Sequence, residues 1–169
     1  MSARAGREGE HMDTAVTTGG RIDIPRPELH WPGRIAIGGL VLLGVGAVAG
    51  GIALVVSPDG SAMQFDTALL AGSPFSDYLI PGLVLGGLFG IGSLVVAAMG
   101  LRRSRLAPFL AFAIGCAQMI WISVELAIIS EFSFLHPACF GLGLAIAAAS
   151  VPWGLPTFRA WRANRLASN

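Results

Sequence analysis

Hydrophobic residues in this chain are gathered into four long runs that polar segments separate. The runs cover residues 35–56, 78–101, 106–130 and 135–155. A helix needs about 20 residues, at about 1.5 Å of rise each, to cross about 30 Å of hydrocarbon. Each run is long enough, and only the third contains a carboxylate, Glu125. The pattern predicts an all-α integral membrane protein, an antiparallel bundle of four transmembrane helices.

The composition points the same way. Hydrophobic residues make up 54% of the chain and charged residues 12%, whereas a soluble domain carries about 25% charged residues. With a mean hydropathy of +0.70, the chain has too little polar surface to cover a water-soluble globule. Abundant Arg, Ala, Gly and Pro without lysine indicate GC-rich codons and therefore a bacterial genome.

The polar positions divide the chain into three parts. Residues 1–33 show no apolar period and predict a disordered cytoplasmic tail, in which Met12 offers an alternative start. Residues 34–156 form the predicted membrane domain. Residues 157–169 carry an arginine at every third position, which predicts a basic segment lying on the inner membrane surface.

The predicted outer loop, residues 57–77, contains three local signals. Residues 58–60, Pro-Asp-Gly, predict a turn, and the apolar spacing over residues 63–70 predicts a short interfacial helix. The second span begins either at Ser73, with the following proline at its first helical position, or near Ser76. The sequence leaves these two starts open.

All the arginines lie in segments that four successive spans would place on the same side of the membrane. They precede the first span, lie between the second and third, and follow the fourth: Arg4, Arg7, Arg21, Arg26, Arg34, Arg102, Arg103, Arg105, Arg159, Arg162 and Arg165. The other two connections carry only acids, Asp59, Asp66, Asp77 and Glu131. Because positive residues stay in the cytoplasm, both termini are predicted there, and the chain is predicted in the bacterial plasma membrane.

Two sets of residues are predicted to meet the bilayer surface. Trp31, Trp153 and Tyr78 lie at ends of spans, where aromatic rings favour the headgroup level. Six arginines are predicted to contact anionic lipids, each contributing about 1 kcal/mol of attraction: Arg102, Arg103, Arg105, Arg159, Arg162 and Arg165. The alternative for the C-terminal arginines is a purely topogenic anchor.

Small residues at four-residue spacing predict where the helices pack, because close backbone approach drives association in lipid. The motifs are Gly46-x-x-x-Gly50, Ala47-x-x-x-Gly51, Gly82-x-x-x-Gly86-x-x-x-Gly90, Ala107-x-x-x-Ala111-x-x-x-Gly115 and Gly141-x-x-x-Ala145-x-x-x-Ala149. The second span, with three glycines in register, is the predicted central helix.

Gln118, Trp121 and Glu125 share one face of the third span. A charge facing lipid costs about 2.5–3.5 kcal/mol at mid-span, so Glu125 is expected to face the bundle, stay protonated or find a donor. His136 and Tyr78 are the candidate donors. The face is either the wall of a pocket for a cation, proton or small polar ligand, or a structural hydrogen bond.

Other chemistry finds little support. Asp59, Asp66 and Asp77 are read as solvated outer charges more readily than as a cation site. Cys116 and Cys139 have no metal-site spacing and differ in depth. No nucleophile elbow, phosphate loop or H-E-x-x-H motif occurs in the sequence. The sequence therefore predicts no catalytic residue, cofactor or metal, and no nucleic-acid partner.

The segment L-L-A-G-S-P-F-S-D-Y-L-I-P-G-L-V-L, residues 69–85, followed by Trp121-Ile-Ser-Val-Glu, resembles a group of small bacterial four-span proteins without a known activity. The resemblance covers roughly residues 35–150 and implies the same four-helix layout. Small multidrug transporters also have four spans and one membrane acid, but they are shorter and their acid lies in the first helix.

Three functions follow as hypotheses. The poverty of polar groups and the small-residue faces favour a non-enzymatic accessory or oligomeric membrane subunit, with a second copy or another membrane protein as partner. Glu125 motivates a small proton- or cation-coupled carrier. A membrane-embedded lipid-modifying enzyme is the third hypothesis, and it has the thinnest support.

Overall fold

The computed structural model describes residues 29–71, 73–128 and 134–167, which contain helices and turns but no β-strand. Four of the helices are long and apolar enough to span a membrane. They are α1 (Trp31–Val56), α2 (Leu79–Leu101), α3 (Ala107–Ile128) and α4 (Leu135–Ala167). The predicted all-helical class with four membrane-length helices is therefore confirmed. The predicted tail, apart from its last residues, and Glu131 lie outside the described residues.

Helix α1 is the central element, because it packs against the other three helices. Its contact with α2 is the most extensive in the bundle, and the contact between α3 and α4 is the next. Contacts between neighbours run in opposite numerical order, from Gly44 beside Leu94 to Gly51 beside Gly86. The sequence predicts α2 as the central helix, but α1 takes that position because it presents small residues to α2 and to α4.

The closest helix contact joins α1 to the glycines of α2. A methyl group at Gly51 would lie 2.5 Å from the Gly86 Cα, and one at Gly90 would lie 2.7 Å from a Val48 methyl. Residues Leu85–Gly92 of α2 are π-helical at this contact. The wider turn places the neighbours Phe89 and Gly90 both inward. The predicted glycine motif of the second span thus lies in the bundle.

The register of the other small-residue motifs is only partly as predicted. Ala107 and Ala111 are fully buried, as their motif predicts. Gly46 and Gly141 instead face outward, with nothing within 4 Å of an added methyl group. In α4 the contact residue is Gly143, two positions after Gly141. Glycine and alanine are frequent in every span, so spacing alone could not distinguish an inward stripe from an outward one.

Helix α4 continues without a break to Ala167, although Pro152 and Pro156 lie inside it. The sequence predicts a span ending near residue 155 and a separate basic segment after it. Packing against the start of α3 supports the continuation, since a methyl at Gly154 would lie 3.1 Å from Pro108. Trp153 is also not a headgroup anchor, because it is only 4% exposed and packs in the core.

The loop between α1 and α2 folds onto the end of the bundle. The predicted turn at residues 58–60 is present, with Gly60 at φ 82°. Two 3-10 turns, Ser61–Met63 and Thr67–Leu70, replace the single predicted interfacial helix. Helix α2 begins at Leu79, so of the two starts considered, the one near Ser76 is closer.

Candidate functional site

The polar face of α3 is held together by a hydrogen bond within the helix. The Trp121 indole N–H donates to Glu125 Oε1 at 2.8 Å. Both side chains are half-buried. Residues four apart on a helix are surface neighbours, and an indole N–H is a donor only. The acid in the third span therefore has a donor from its own helix.

Gln118 is the deepest member of this face. It is 2% exposed, and its Oε1 is buried without a hydrogen-bond partner among the described residues. Its Cβ and Cγ pack against Gly143 of α4, where an added methyl would lie 3.1 Å away from each. A buried amide oxygen without a donor costs about 1–3 kcal/mol. The glutamine therefore presents an unused acceptor inside the bundle.

A second unpartnered polar atom lies on α2. Ser93 is 0% exposed, and its hydroxyl has no partner among the described residues. One turn before it, Phe89 meets Trp121 edge to face, with ring centroids 5.6 Å apart. From that ring contact, Ser93 and Gln118 both lie one turn closer to the connection between α2 and α3. The two atoms therefore occupy a similar level of the bundle.

Of the two donors predicted for Glu125, one lies near it and the other bonds elsewhere. His136 and Cys139, near the start of α4, are close enough to Glu125 for electrostatic interaction. Tyr78 is not a partner of Glu125, since its hydroxyl donates to the Asp66 carbonyl at 2.8 Å. The phenol belongs to the α1–α2 loop because the chain around Asp66 folds over it.

Two features of the site are absent from the prediction. The sequence predicts Trp121 on the same face as Glu125 but not as its donor, although the four-residue spacing of an N–H donor and a carboxylate is a usable signal. Ser93 is not among the predicted site residues, although it is a hydroxyl in an otherwise apolar, glycine-rich span. Its burial depends on the π-helical segment before it, which the sequence did not predict.

The acids of the α1–α2 loop make local bonds. Asp59 accepts from the Ser61 hydroxyl at 2.8 Å and from its N–H at 3.1 Å, and these bonds lower the pKa of Asp59. Asp77 accepts from the Leu79 N–H at 3.0 Å. No group of three or more potential metal ligands occurs within the described residues. The carboxylates act here as turn and helix-start acceptors.

The arginines of the α2–α3 connection and of the end of α4 are exposed around one end of the bundle: Arg102, Arg103, Arg105, Arg159, Arg162 and Arg165. The Arg165 guanidinium lies 4.2 Å from the centroid of the Trp161 ring. Trp161 in turn stacks on Phe158 at 6.2 Å. This end presents positive charge beside exposed aromatic surface.

The arrangement around Glu125 offers one carboxylate, one unused amide acceptor and one hydroxyl between apolar helices. These are groups that can exchange a proton or a hydrogen bond with a small polar species, and within the described residues around Glu125 no nucleophile is paired with a base. Comparisons with known protein families, curated proteins and solved structures return no match to this chain.

Proposed function

We propose that this chain is a four-span membrane protein that acts as a non-enzymatic subunit, assembling with copies of itself or with another membrane protein. The four apolar helices and the sorting of all arginines support an antiparallel bundle with both ends in the cytoplasm. The arginine distribution, together with the GC-rich codon usage that the composition indicates, supports the bacterial plasma membrane as its location.

One observation carries the proposal: the neighbouring helices α1 and α4 each turn outward a stripe that contains glycine and alanine beside larger apolar residues, such as Leu42 and Leu144. On α1 the exposed stripe includes Gly38, Gly46 and Ala49, and on α4 it includes Gly141, Ala145 and Ala148. Small residues let helix backbones approach closely in lipid. Because the chain's own helices leave Gly38, Gly46 and Gly141 uncovered, these stripes are available to a second molecule.

The test replaces outward glycines by leucine. Gly46→Leu and Gly141→Leu place bulk on the two stripes without a clash inside the chain, because nothing lies within 4 Å of either position. Gly87→Leu is the matched control, since Gly87 is equally open but lies on α2, which carries neither stripe.

The readout is disulfide-free crosslinking in native membranes, followed by size analysis in mild detergent. We expect the wild type and Gly87→Leu to give an assembly, and Gly46→Leu or Gly141→Leu to shift it toward monomer. A wild type that is monomeric without any co-purifying partner contradicts the proposal. Equal assembly in all four proteins would also count against the proposal, because it would show that the interface does not involve these stripes.

A second candidate, a proton- or cation-coupled carrier, has support from the unused Gln118 Oε1 beside the Trp121–Glu125 bond. Carbodiimide labelling across pH tests it, because these reagents favour protonated carboxyls in apolar surroundings. Trp121→Phe frees Glu125 Oε1 and should increase labelling, while Glu125→Gln abolishes it at that position. Equal proton uptake by wild-type and Glu125→Gln proteoliposomes would eliminate this candidate.

A further inference from the structure

A groove opens between α3 and α4 at the arginine end of the bundle. One cavity of about 390 Å³ has Arg105, Thr157 and Trp161 in its lining. A second, of about 220 Å³, lies between Phe112 and Val151. Phe109 and Phe158 line both cavities, so the two form one continuous groove with a mainly apolar wall and with Arg105 at one end.

The Arg105 end of the groove contains a hydroxyl without a hydrogen-bond partner. Thr157 is 5% exposed, and its Oγ1 is buried without a hydrogen-bond partner among the described residues. A threonine inside a helix commonly donates to the carbonyl one turn earlier, as Ser150 does to Ile146 at 2.7 Å. Thr157 makes no such bond, and it lines the larger cavity. Its Oγ1 exposes less than 1 Å², so a rotation about the Cα–Cβ bond is needed to present the hydroxyl to a molecule in the groove.

The charge around the groove selects an anion. Arg105 lines the cavity itself, and Arg102, Arg103 and Arg162 are exposed at the same end. The described carboxylates, Asp59, Asp66, Asp77 and Glu125, belong to the α1–α2 loop and to the far half of α3. Guanidinium groups bind phosphate through charge-assisted hydrogen bonds, so the groove is complementary to an anionic headgroup.

The apolar end selects a lipid over a free phosphate. Phe109, Phe112 and Leu155 are 44%, 45% and 39% exposed. They form an apolar wall of the groove, which offers no favourable contact to a small hydrated anion. A hydrocarbon chain lying there would pack against these side chains, because an acyl chain is as apolar as the wall of the groove. This apolar part of the groove is continuous with the end that Arg105 lines.

We propose that this groove binds one anionic phospholipid of the bilayer. Its phosphate lies against Arg105, a headgroup or ester oxygen accepts from the Thr157 hydroxyl, and one acyl chain follows the α3–α4 groove past Phe109. The site is a specific one, beyond the general attraction of arginines to an anionic surface. It rests on the proposed membrane placement.

Native mass spectrometry of the full chain in detergent tests the site. Phosphatidylglycerol and phosphatidylcholine with identical acyl chains are titrated in turn. We expect one phosphatidylglycerol to bind about tenfold more tightly than phosphatidylcholine, the scale of one charge-assisted contact. Arg105→Gln should remove about that factor, and Thr157→Val should lose about threefold at one neutral hydrogen bond.

Arg34→Gln is the matched control, because it removes one exposed arginine at the same end but outside the groove. It should keep the lipid preference of the wild type. A general charge effect would instead make Arg34→Gln lose as much as Arg105→Gln, which would overturn the proposal, as would equal binding of the two lipids. Thr157→Val also separates binding from structure, because removing an unsatisfied hydroxyl alone would raise stability and leave affinity unchanged.

Membrane placement is checked separately by alkaline carbonate extraction of cell membranes. A chain that resists extraction but shows no lipid preference disproves the lipid site alone. A chain that is extracted disproves the membrane placement on which both proposals depend. Thermal unfolding of each variant in lipid-free detergent verifies that a lost preference comes from a folded protein.

Discussion

The two ends of the helix bundle differ in whether their buried hydrogen-bond donors find acceptors among the described residues. At the loop end, where residues 57–78 join α1 to α2, Tyr78 is 5% exposed and packs with Leu54 and Leu70. Its N–H donates to the Pro58 carbonyl and its hydroxyl to the Asp66 carbonyl, each at 2.8 Å. At the basic end, where α4 passes the start of α3, Thr157 Oγ1 and Trp153 Nε1 are buried without a partner among the described residues.

The difference teaches which part of the molecule carries its own stability and which depends on its surroundings. A side chain whose donor already has a protein acceptor gains little from a ligand. A buried hydroxyl beside an open groove gains a bond only when something enters. We therefore expect substitutions at the loop end to change the free energy of unfolding, and substitutions at the basic end to change binding.

The largest expected effect is at Gly60. Its φ of 82° is unfavourable for other residues, and an added methyl would lie 2.6 Å from the Phe65 carbonyl oxygen. Strained backbone and overpacking together predict that Gly60→Ala destabilises the fold by about 2–5 kcal/mol. Thermal unfolding in detergent, followed by circular dichroism, measures this, and hydrogen exchange over residues 57–78 locates it.

Gly87→Ala is the matched control for that substitution. Gly87 lies within helix α2, outside both proposed assembly stripes, and nothing lies within 4 Å of an added methyl. Alanine has a higher helix propensity than glycine by about 1 kcal/mol, so Gly87→Ala should be neutral or stabilising. If both variants lost the same free energy of unfolding, the backbone conformation and close packing at Gly60 would not be the cause of the loss.

Alkaline pH is the next probe of the loop end, because the chain has a single tyrosine. Burial, with a smaller contribution from the Asp66 carboxylate, raises the pKa of Tyr78. Its contribution to stability is therefore complete below about pH 10, where an unfolded tyrosine begins to ionise, and is lost as the pH rises through the folded-state pKa. The phenolate cannot donate to Asp66.

Absorbance at 295 nm follows this ionisation directly. We expect the tyrosinate signal of the folded protein to appear at higher pH than that of the protein unfolded in denaturant, together with lower loop protection in hydrogen exchange. Coincident titrations of the folded and unfolded protein would show that the phenol is exposed, contrary to its contacts with Asp66 and Phe65.

Tyr78→Phe removes the hydroxyl and keeps the ring. We expect a loss of about 0.5–1.5 kcal/mol, the usual net value of one hydrogen bond, because the ring remains packed 5.8 Å from that of Phe65. Chemical unfolding in detergent measures it. The variant also abolishes the alkaline absorbance change, and a stability loss above about 3 kcal/mol would imply that the ring had shifted as well.

The sequence predicted the four helices because each needs only a long apolar run, and length and hydropathy are local properties. It predicted the inward glycines of α2, but it mistook Gly141 for Gly143 in α4. Which face turns inward depends on neighbouring helices, and small residues occupy both faces. Trp153 shows the same limit, since an indole near a helix end fits the headgroup level and the core equally well by position alone.

The candidate site was predictable to a similar depth. Helical spacing places Gln118, Trp121 and Glu125 on one face. The donor to Glu125 was not predicted, because it depends on side-chain geometry. The end of α4 was not predicted, because the helix continues through two prolines only where other helices pack against it. The groove between α3 and α4 was beyond prediction, since it results from the packing angle and continuation of two helices rather than from any motif.

The smallest expected effect on stability is at the basic end. The Arg165 guanidinium lies 4.2 Å from the centroid of the Trp161 ring, and both side chains are exposed. An exposed cation–π contact contributes about 0.5–1 kcal/mol, so the loss of this contact in Arg165→Gln should lower stability by about that amount. Phosphatidylglycerol should still bind, because Arg165 does not line the groove. Thermal unfolding with and without this lipid measures both quantities. A loss larger than that of Tyr78→Phe would reverse the comparison, because it would show that the end of α4 carries stability rather than a binding surface.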